Sequence, residues 1–531
     1  MISYLLPPVP ARPLPRSRAG RDRASPTWSG PAIPSRLRLA DLLRSDELRT
    51  VRGSLTRPVS GLAIDSRRVV PGDVFFALPG HQADGSDFIG QAVARGAVAI
   101  VSLRLPGSLP SSVTALQVDD PRALLARAAQ RFYGFPDSAL GVIGVTGGRG
   151  KTSVAHLLQH LLDRPDGPRA GLISSIHYHL GRRTVPAYLT TPEALDTFGL
   201  LAQMRDAGCS EAVVEVSARG IARQRVLGVR FGAVVLLPRT DDAGEARRDA
   251  ATVAPLESRL LSGEFGVQPG VVVLSADDAG GTGVRERIPA GVRVVTFGSA
   301  ASADVRAEAM ECGAGGARFR LVWPGGQASV ASPLIGRRHV DNLLAALAAL
   351  WALGRDLRPL VAAAGGLASI PGRMEPVEAG QSFRVVVDAA NAAAPLATAL
   401  ATVRAGVPGR VIAVLGAAGD RDRSGRPALL AAAQRGADFV IATADNPRTE
   451  GVRRVFADLA RGVTEPGRVA WIEDRRRAIA LALDMAGPGD AVLIAGRGPD
   501  GWQEMADTIV PFDDRRVARE LLMGRGACRG G

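Results

Sequence analysis

One stretch constrains this chain more than any other: Gly144-Val145-Thr146-Gly147-Gly148-Arg149-Gly150-Lys151-Thr152-Ser153. An apolar run with Val142, Ile143 and Val145 leads into it, and apolar residues recur after it at Val154, Leu157, Leu158, Leu161 and Leu162, a helical spacing. A strand that enters a glycine-rich loop and leaves through a helix points to an α/β fold with a phosphate cradle at the strand's carboxyl end. In such a cradle glycines let backbone N–H groups approach phosphate oxygens, and the helix N-terminus adds partial positive charge. Thr146, Gly147, Gly148, Gly150, Lys151, Thr152 and Ser153 are therefore the expected nucleotide-binding residues. Lys151 would reach the β- and γ-phosphates, and the Thr152 hydroxyl is suited to Mg2+. The spacing departs from the strict G-x4-G-K-[ST] pattern, because valine stands at 145 and the glycine at 144. Of the 65 lysines and arginines in the chain, Lys151 is the only lysine. A compact ammonium here suggests a role that the guanidinium fork cannot fill, and ATP is the expected ligand.

At 531 residues the chain is too long for one core and predicts about three domains. The net charge of +13 raises the question of a polyanion partner. Much of the excess sits in a Pro/Arg-rich extension, residues 1–38, where disorder is expected. Aromatic residues are only 4% of the chain, and no nucleic-acid-binding signature occurs, so no nucleic-acid partner is expected. The longest apolar run, Leu343 to Gly354, is too short to span a bilayer, and membrane insertion is not expected. Cys209, Cys312 and Cys528 form no CxxC and no even framework, which fits a reducing cytoplasm.

Three modules follow the extension. Residues 39–138 read as a small α/β unit with a polar Asp65-Ser66-Arg67 turn, short strands at Val74–Leu78 and Ala97–Val101, and a helix near Ile89–Arg95. Residues 139–368 carry the phosphate loop, then Thr190-Thr191-Pro192, then a strand from Ala212 to Val216. Further apolar runs at Ala233–Leu237, Val271–Ser275 and Val292–Phe297 make a doubly wound sheet. Glu215 near a strand end could bind Mg2+ or pair with an arginine. In residues 369–531 apolar strands lead four times into polar turns: at Asp388; at Gly416–Arg423; at Asp445-Asn446-Pro447-Arg448; and at Gly496-Arg497-Gly498-Pro499-Asp500. Side by side, these turns would line a cleft. Arg421 and Arg448 would then either grip a carboxylate or serve as surface ion pairs.

With these residues in view, the chain resembles the Mur ligases across all three modules, and most of all the branch that adds the third residue of the peptidoglycan stem peptide. Ser66 and Arg67 resemble the uridine-nucleotide turn, Thr190 and Thr191 the segment that contacts the sugar-peptide, and Glu215-Val216-Ser217 the Mg2+ strand. Asn342 matches an asparagine placed by the adenine, and Arg373 and Asp388 fall among the expected nucleotide contacts. Asp445-Asn446-Pro447-Arg448, with Arg421, Gly496 and Asp500, is similar to the signature selecting meso-diaminopimelate. The resemblance implies a monomeric cytoplasmic enzyme using ATP and Mg2+, with three α/β domains: a small N-terminal unit, a central P-loop domain and a C-terminal Rossmann-like domain. It would phosphorylate the terminal carboxylate of UDP-N-acetylmuramoyl-L-alanyl-D-glutamate, and an amine would then displace phosphate from the acyl phosphate. Lys151 and Glu215 would be catalytic.

The departures from the family fall on the chemistry. Gly148-Arg149 replaces Thr-Asn, Arg219 stands for a histidine, and Asp388-Ala389-Ala390-Asn391 replaces Asp-Tyr-Ala-His. Gly496-Arg497-Gly498-Pro499-Asp500 replaces Gly-Lys-Gly-His-Glu, and Leu236–Asp241 barely keeps the pattern of its segment. The family's carbamylated lysine, which helps hold a second Mg2+, has no counterpart, because Lys151 is the only lysine. Glu257 falls at that place and could supply a permanent carboxylate, making it a third catalytic candidate. A divergent diaminopimelate ligase, an amide ligase on another substrate, and a nucleotide-binding scaffold without turnover all remain open at this stage.

Overall fold

The computed structural model describes residues 37–529 apart from 81–82, 106, 164–168, 240–255, 279–281, 314, 422 and 507. The expected disorder of the N-terminal extension concerns residues that lie almost wholly outside this set. Its last two residues, Leu37 and Arg38, pair antiparallel with Val59 and Pro58.

Three main sheets carry the chain. In the first, five short strands lie in the order Thr50–Arg52, Thr114–Gln117, Ala99–Ser102, Asp73–Phe76, Gly61–Ala63, all parallel except the first pair. The Ile89–Ala94 helix, two residues downstream of which the chain turns at Gly96, lies where the sequence placed it.

The second sheet has 11 strands. Its parallel centre contains the strands read from the sequence, with one more, Arg169–Ile173, that was not: the spatial order is Arg169–Ile173, Cys209–Glu215, Gly141–Gly147, Phe231–Leu237, Val271–Ser275 and Arg293–Gly298. Further strands extend both edges: His177–His179 and Thr184–Pro186, antiparallel, on one; on the other Val305–Gly313, which joins in parallel, followed by antiparallel Gly316–Trp323 and Gly326–Ser332. The sequence reading did not anticipate these flanks. They alternate buried and exposed residues, as in Gly316–Trp323, because one face is solvated, whereas the central strands are buried on both faces.

The apolar run at Leu343 belongs to the Arg337–Ala352 helix, which is apolar nearly all round because it packs on the sheet and, beside it, against the Lys151–Leu162 helix on the same face. No helix among the described residues is long and apolar enough to cross a membrane.

The third sheet orders Glu375–Pro376, Arg384–Asp388, Ala491–Ala495, Val411–Leu415, Phe439–Thr443 and Val469–Ile472, parallel after the first pair. The four polar turns read from the sequence follow four adjacent strands, so they lie along one edge.

Candidate active site

The phosphate loop leaves the Gly141–Gly147 strand between two neighbours in register, Glu215 beside Val145 and Leu237 beside Gly147. Both flanking strands therefore end level with the loop, at the carboxyl edge where ligands of such sheets gather. Glycine is required at two of its positions. Gly147 has φ +99°, and a Cβ there would lie 2.3 Å from Leu237 O; Gly150 has φ +102°, and a Cβ would lie 2.4 Å from Asn342 Oδ1. The loop is thus pressed against the next strand on one side and against the buried Asn342 of the Arg337–Ala352 helix on the other.

Lys151 opens the following helix, and its Nζ donates to Gly147 O (2.8 Å) and Gly148 O (2.7 Å). Burial holds its ammonium below the usual lysine range, against the pull of Glu215 and Glu257. Thr152 Oγ1 donates to Glu215 Oε1 at 3.0 Å and lies 3.0 Å from Ser175 Oγ; Ser175 N–H donates to Glu215 Oε2 at 2.9 Å. Glu215 forms no ion pair with a described residue, so the arginine-paired alternative is not what the structure shows. Thr146 Oγ1 is buried without a hydrogen-bond partner, while Ser153 is buried at the rim of the cavity.

A cavity of about 340 Å³ opens above the loop. Lys151, Thr152, Glu215 and Asn342 line one side, and Arg373, Asp388, Thr398 and Thr402 of the third module the other. Asp388 is fixed by N–H donors from Met374 and Ala390, both at 2.8 Å, and burial raises its carboxyl above the usual range. Sequence reasoning missed His339, Arg338, Thr398 and Thr402. The threonines lie one helical turn apart, and that spacing was the available signal.

Thr191 Oγ1 donates to Glu215 O (2.9 Å) and accepts from Ser217 N–H (2.9 Å), so the Thr191 and Ser217 segments are stitched beside the end of the Cys209–Glu215 strand. Arg225, unforeseen from the sequence, donates to Thr191 O and pairs with Glu193. Thr190 is half-buried in the same segment. In the first module Ser66 is buried and donates to Gln91, and Arg67 pairs with Asp65.

Along the third module's edge the rim is more heavily bonded than expected. Asn446 Oδ1 accepts from Arg497 Nη1 (3.0 Å) and Glu504 N (2.8 Å). Arg448, at φ +55°, pairs with Glu504 (3.1 Å) and donates to Gly419 O. Buried Arg497 also donates to Asp445 O, Trp502 O and Phe512 O. Gly496 N–H donates to Asp388 O, and burial pushes the Asp500 carboxyl up. Arg421 is exposed. Of the two rim arginines, then, one is engaged in an ion pair and one is open.

Three family profiles match: the Mur ligase family catalytic domain over residues 58–133, the Mur ligase middle domain over 145–350, and the Mur ligase glutamate ligase domain over 372–498. The chain is 39% identical over 473 residues to a UDP-N-acetylmuramoyl-L-alanyl-D-glutamate–2,6-diaminopimelate ligase of Solibacter usitatus, covering 88% of this chain and 94% of that one. The chain belongs to the Mur ligase family. A solved structure of a ligase with the same printed activity superposes at TM-score 0.65 with 29% identity, covering 92% of this chain and 99% of the other. The fold is also that of a Mur ligase from Thermotoga maritima solved with ADP, at TM-score 0.60, 20% identity and coverage of 89% and 99%.

As a member of this family the chain is an ATP-dependent ligase. The residues present fit one Mg2+ ion. Thr152, Glu215 and Ser175 offer clustered hard oxygens, and Mg2+ is commonly held by one or two carboxylates completed by water and substrate phosphates. No group of three or more His, Cys, Asp or Glu among the described residues could hold a metal without that help. The second Mg2+ implied by the family does not fit in the same way. There is no second lysine to carbamylate, and Arg239 lies 2.9 Å from the Glu257 carboxylate.

Proposed function

We propose that this Mur ligase adds meso-diaminopimelate to UDP-N-acetylmuramoyl-L-alanyl-D-glutamate at the expense of ATP, in peptidoglycan precursor synthesis. The observation that carries this reading is the cavity in which the phosphate loop faces Arg373 and Asp388, within a chain similar along nearly its whole length to ligases with that printed activity. When bound, Mg2+ neutralises phosphate charge and orients the phosphates.

The chain's own residues divide the remaining work. Lys151, released from the carbonyls of Gly147 and Gly148, turns its ammonium to the phosphate undergoing transfer. Thr152 and Glu215 would hold the metal. Asn342, Arg373 and Asp388 orient the nucleotide. Ser66 and Arg67 take the uridine diphosphate, and Thr190, Thr191 and Ser217 the peptide arm whose carboxylate is activated. Arg421, Asp445, Asn446, Arg448, Gly496 and Asp500 form the site for the incoming amino acid. Glu257 stands where relatives build a carbamate. The modules 39–138, 139–368 and 369–531 would carry the uridine nucleotide, ATP and amino acid in turn, in a cytoplasmic monomer.

The test is ADP release by the purified chain with ATP, Mg2+ and the UDP-muramoyl dipeptide, with and without meso-diaminopimelate. Release that needs both substrates is the expected result. ATP binding that Lys151→Ala abolishes, with no turnover on any amine, would instead identify a nucleotide-binding scaffold. Arg497, Pro499 and Asn391, in place of the residues usual in relatives, are what favour that second reading.

A further inference from the structure

Two carboxylates, one on either side of the phosphate loop, stand in opposite electrostatic states. On one side Glu215 accepts two hydrogen bonds, from Thr152 Oγ1 and Ser175 N–H, and has no arginine within ion-pair distance among the described residues. A buried carboxylate in that condition, beside bound phosphates, requires a cation, and the neighbouring hydroxyls are the donors that a hard divalent ion prefers. On the other side the Phe231–Leu237 strand runs directly into Pro238 and Arg239. Arg239 Nη2 lies 2.9 Å from Glu257 Oε1; burial pushes this carboxyl up, and the Arg239 guanidinium, with the backbone N–H of the loop's own Gly147, works against that by favouring its charged form. Glu257 is 2% exposed, so its charge could not be left to solvent. It already has a cation, one covalently part of the chain.

The position of that cation is fixed by the backbone. A Cβ on Gly148 would lie 3.0 Å from Arg239 Cα and 2.2 Å from Pro238 O, so residues 238–239 touch the phosphate loop itself. Lys151 senses both carboxylates and Arg239. A divalent ion could approach Glu257 only by displacing a guanidinium from a buried, charge-assisted hydrogen bond, and would find the Gly147 N–H, a donor, beside it.

We propose that this chain has a one-metal phosphate site: the Arg239 guanidinium occupies, on Glu257, the place a second divalent cation would need. The proposal rests on the nucleotide reading above and deepens it. It accounts for how a chain with a single lysine keeps a carboxylate beside the loop without binding metal there.

The test counts bound Mn2+ by electron paramagnetic resonance and equilibrium dialysis, using the full chain saturated with a non-hydrolysable ATP analogue. One Mn2+ per chain, with no spin coupling, is expected for the unsubstituted protein. Arg239→Met should free Glu257 and admit a second, spin-coupled Mn2+; the double variant Arg239→Met with Glu257→Gln should return the count to one. The double variant also has no unpaired buried charge, so it is the safer one to fold. Two coupled Mn2+ ions in the unsubstituted chain would overturn the proposal, as would an Arg239→Met protein that folds, binds the analogue and still holds one. Failure to bind any Mn2+ with nucleotide would sink the nucleotide reading and this proposal together, whereas loss of diaminopimelate-dependent turnover alone would touch only the assignment of substrate.

Discussion

At the phosphate loop, position is set by main chain: glycines at positive φ, carbonyls holding Lys151, and a carboxylate tied by one hydroxyl and one N–H. At the third module's rim, position is set by buried guanidinia. Arg497 binds the Asp445–Asn446 turn, Arg426 bridges Glu450 and Asp458, and Arg475 pairs with Asp514 with neither side chain exposed. The first design holds a small number of groups ready for an incoming charge. The second uses up most of its charge internally to keep a surface in shape, because a buried arginine stabilises only when its donors are satisfied. One site is therefore sensitive to single atoms that meet ligand, the other to single residues that meet nothing but protein.

The sharpest way to break this contrast is Lys151→Ala. We expect loss of ATP-dependent turnover on the order of 10³-fold with no change in the melting temperature, read by ADP release and calorimetry. A stability loss as large as the activity loss would mean that the loop, too, is held by its charge. Arg497→Met should do the reverse. Unfolding of the third module should become easier by about 3 kcal/mol, since carbonyls of Asp445, Trp502 and Phe512 lose their donor, while affinity for an ATP analogue stays within about twofold.

Acid should find the loop side first. All six histidines lie before residue 340, and none lies in the third module. Burial holds His156 near 3 and His339 near 4, below the unfolded value of about 6.5. Between those values the unfolded chain binds more protons than the folded one, so stability is full above about pH 6.5 and falls as pH falls through the window. At about pH 5 each histidine should cost roughly 2 kcal/mol. Hydrogen exchange in the Lys151–Leu162 and Arg337–Ala352 helices should report this, with the rim strands far less affected. The smallest expected effect is Arg448→Ala: about a tenfold rise in KM for the amino acid with kcat for ATP-dependent turnover kept within about threefold. An unchanged KM would mean that Arg448 only braces Glu504.

This contrast also explains what the sequence allowed to be read. The loop was legible because its parts are contiguous: strand, glycines, Lys151 and helix stand in one run, and Glu215 ends a strand whose apolar pattern is plain. The parallel sheets were legible for the same reason, since doubly buried strands are continuous apolar runs. The rim was only half legible. Its turns could be found, but Glu504 and Asp514, which decide how Arg448 and Arg475 are engaged, and Trp502 and Phe512, whose carbonyls help hold Arg497, are brought to them by folding, from positions with no local pattern. Arg225 and Arg239 were missed because arginine is so abundant here that no single one stands out. The antiparallel flanks of the central sheet were missed because a solvated face breaks the apolar run on which the reading relied.

The isolation of Lys151 has a practical consequence. In a chain with one side-chain primary amine, acylation of lysine, once told apart from that of the α-amino group, reports on a single atom, and that atom lies in the phosphate cradle, folded back onto two carbonyls of its own loop. The rate of side-chain acylation is therefore a direct clock for the loop opening. Its suppression by a nucleotide would map occupancy of the site in an otherwise unlabelled protein.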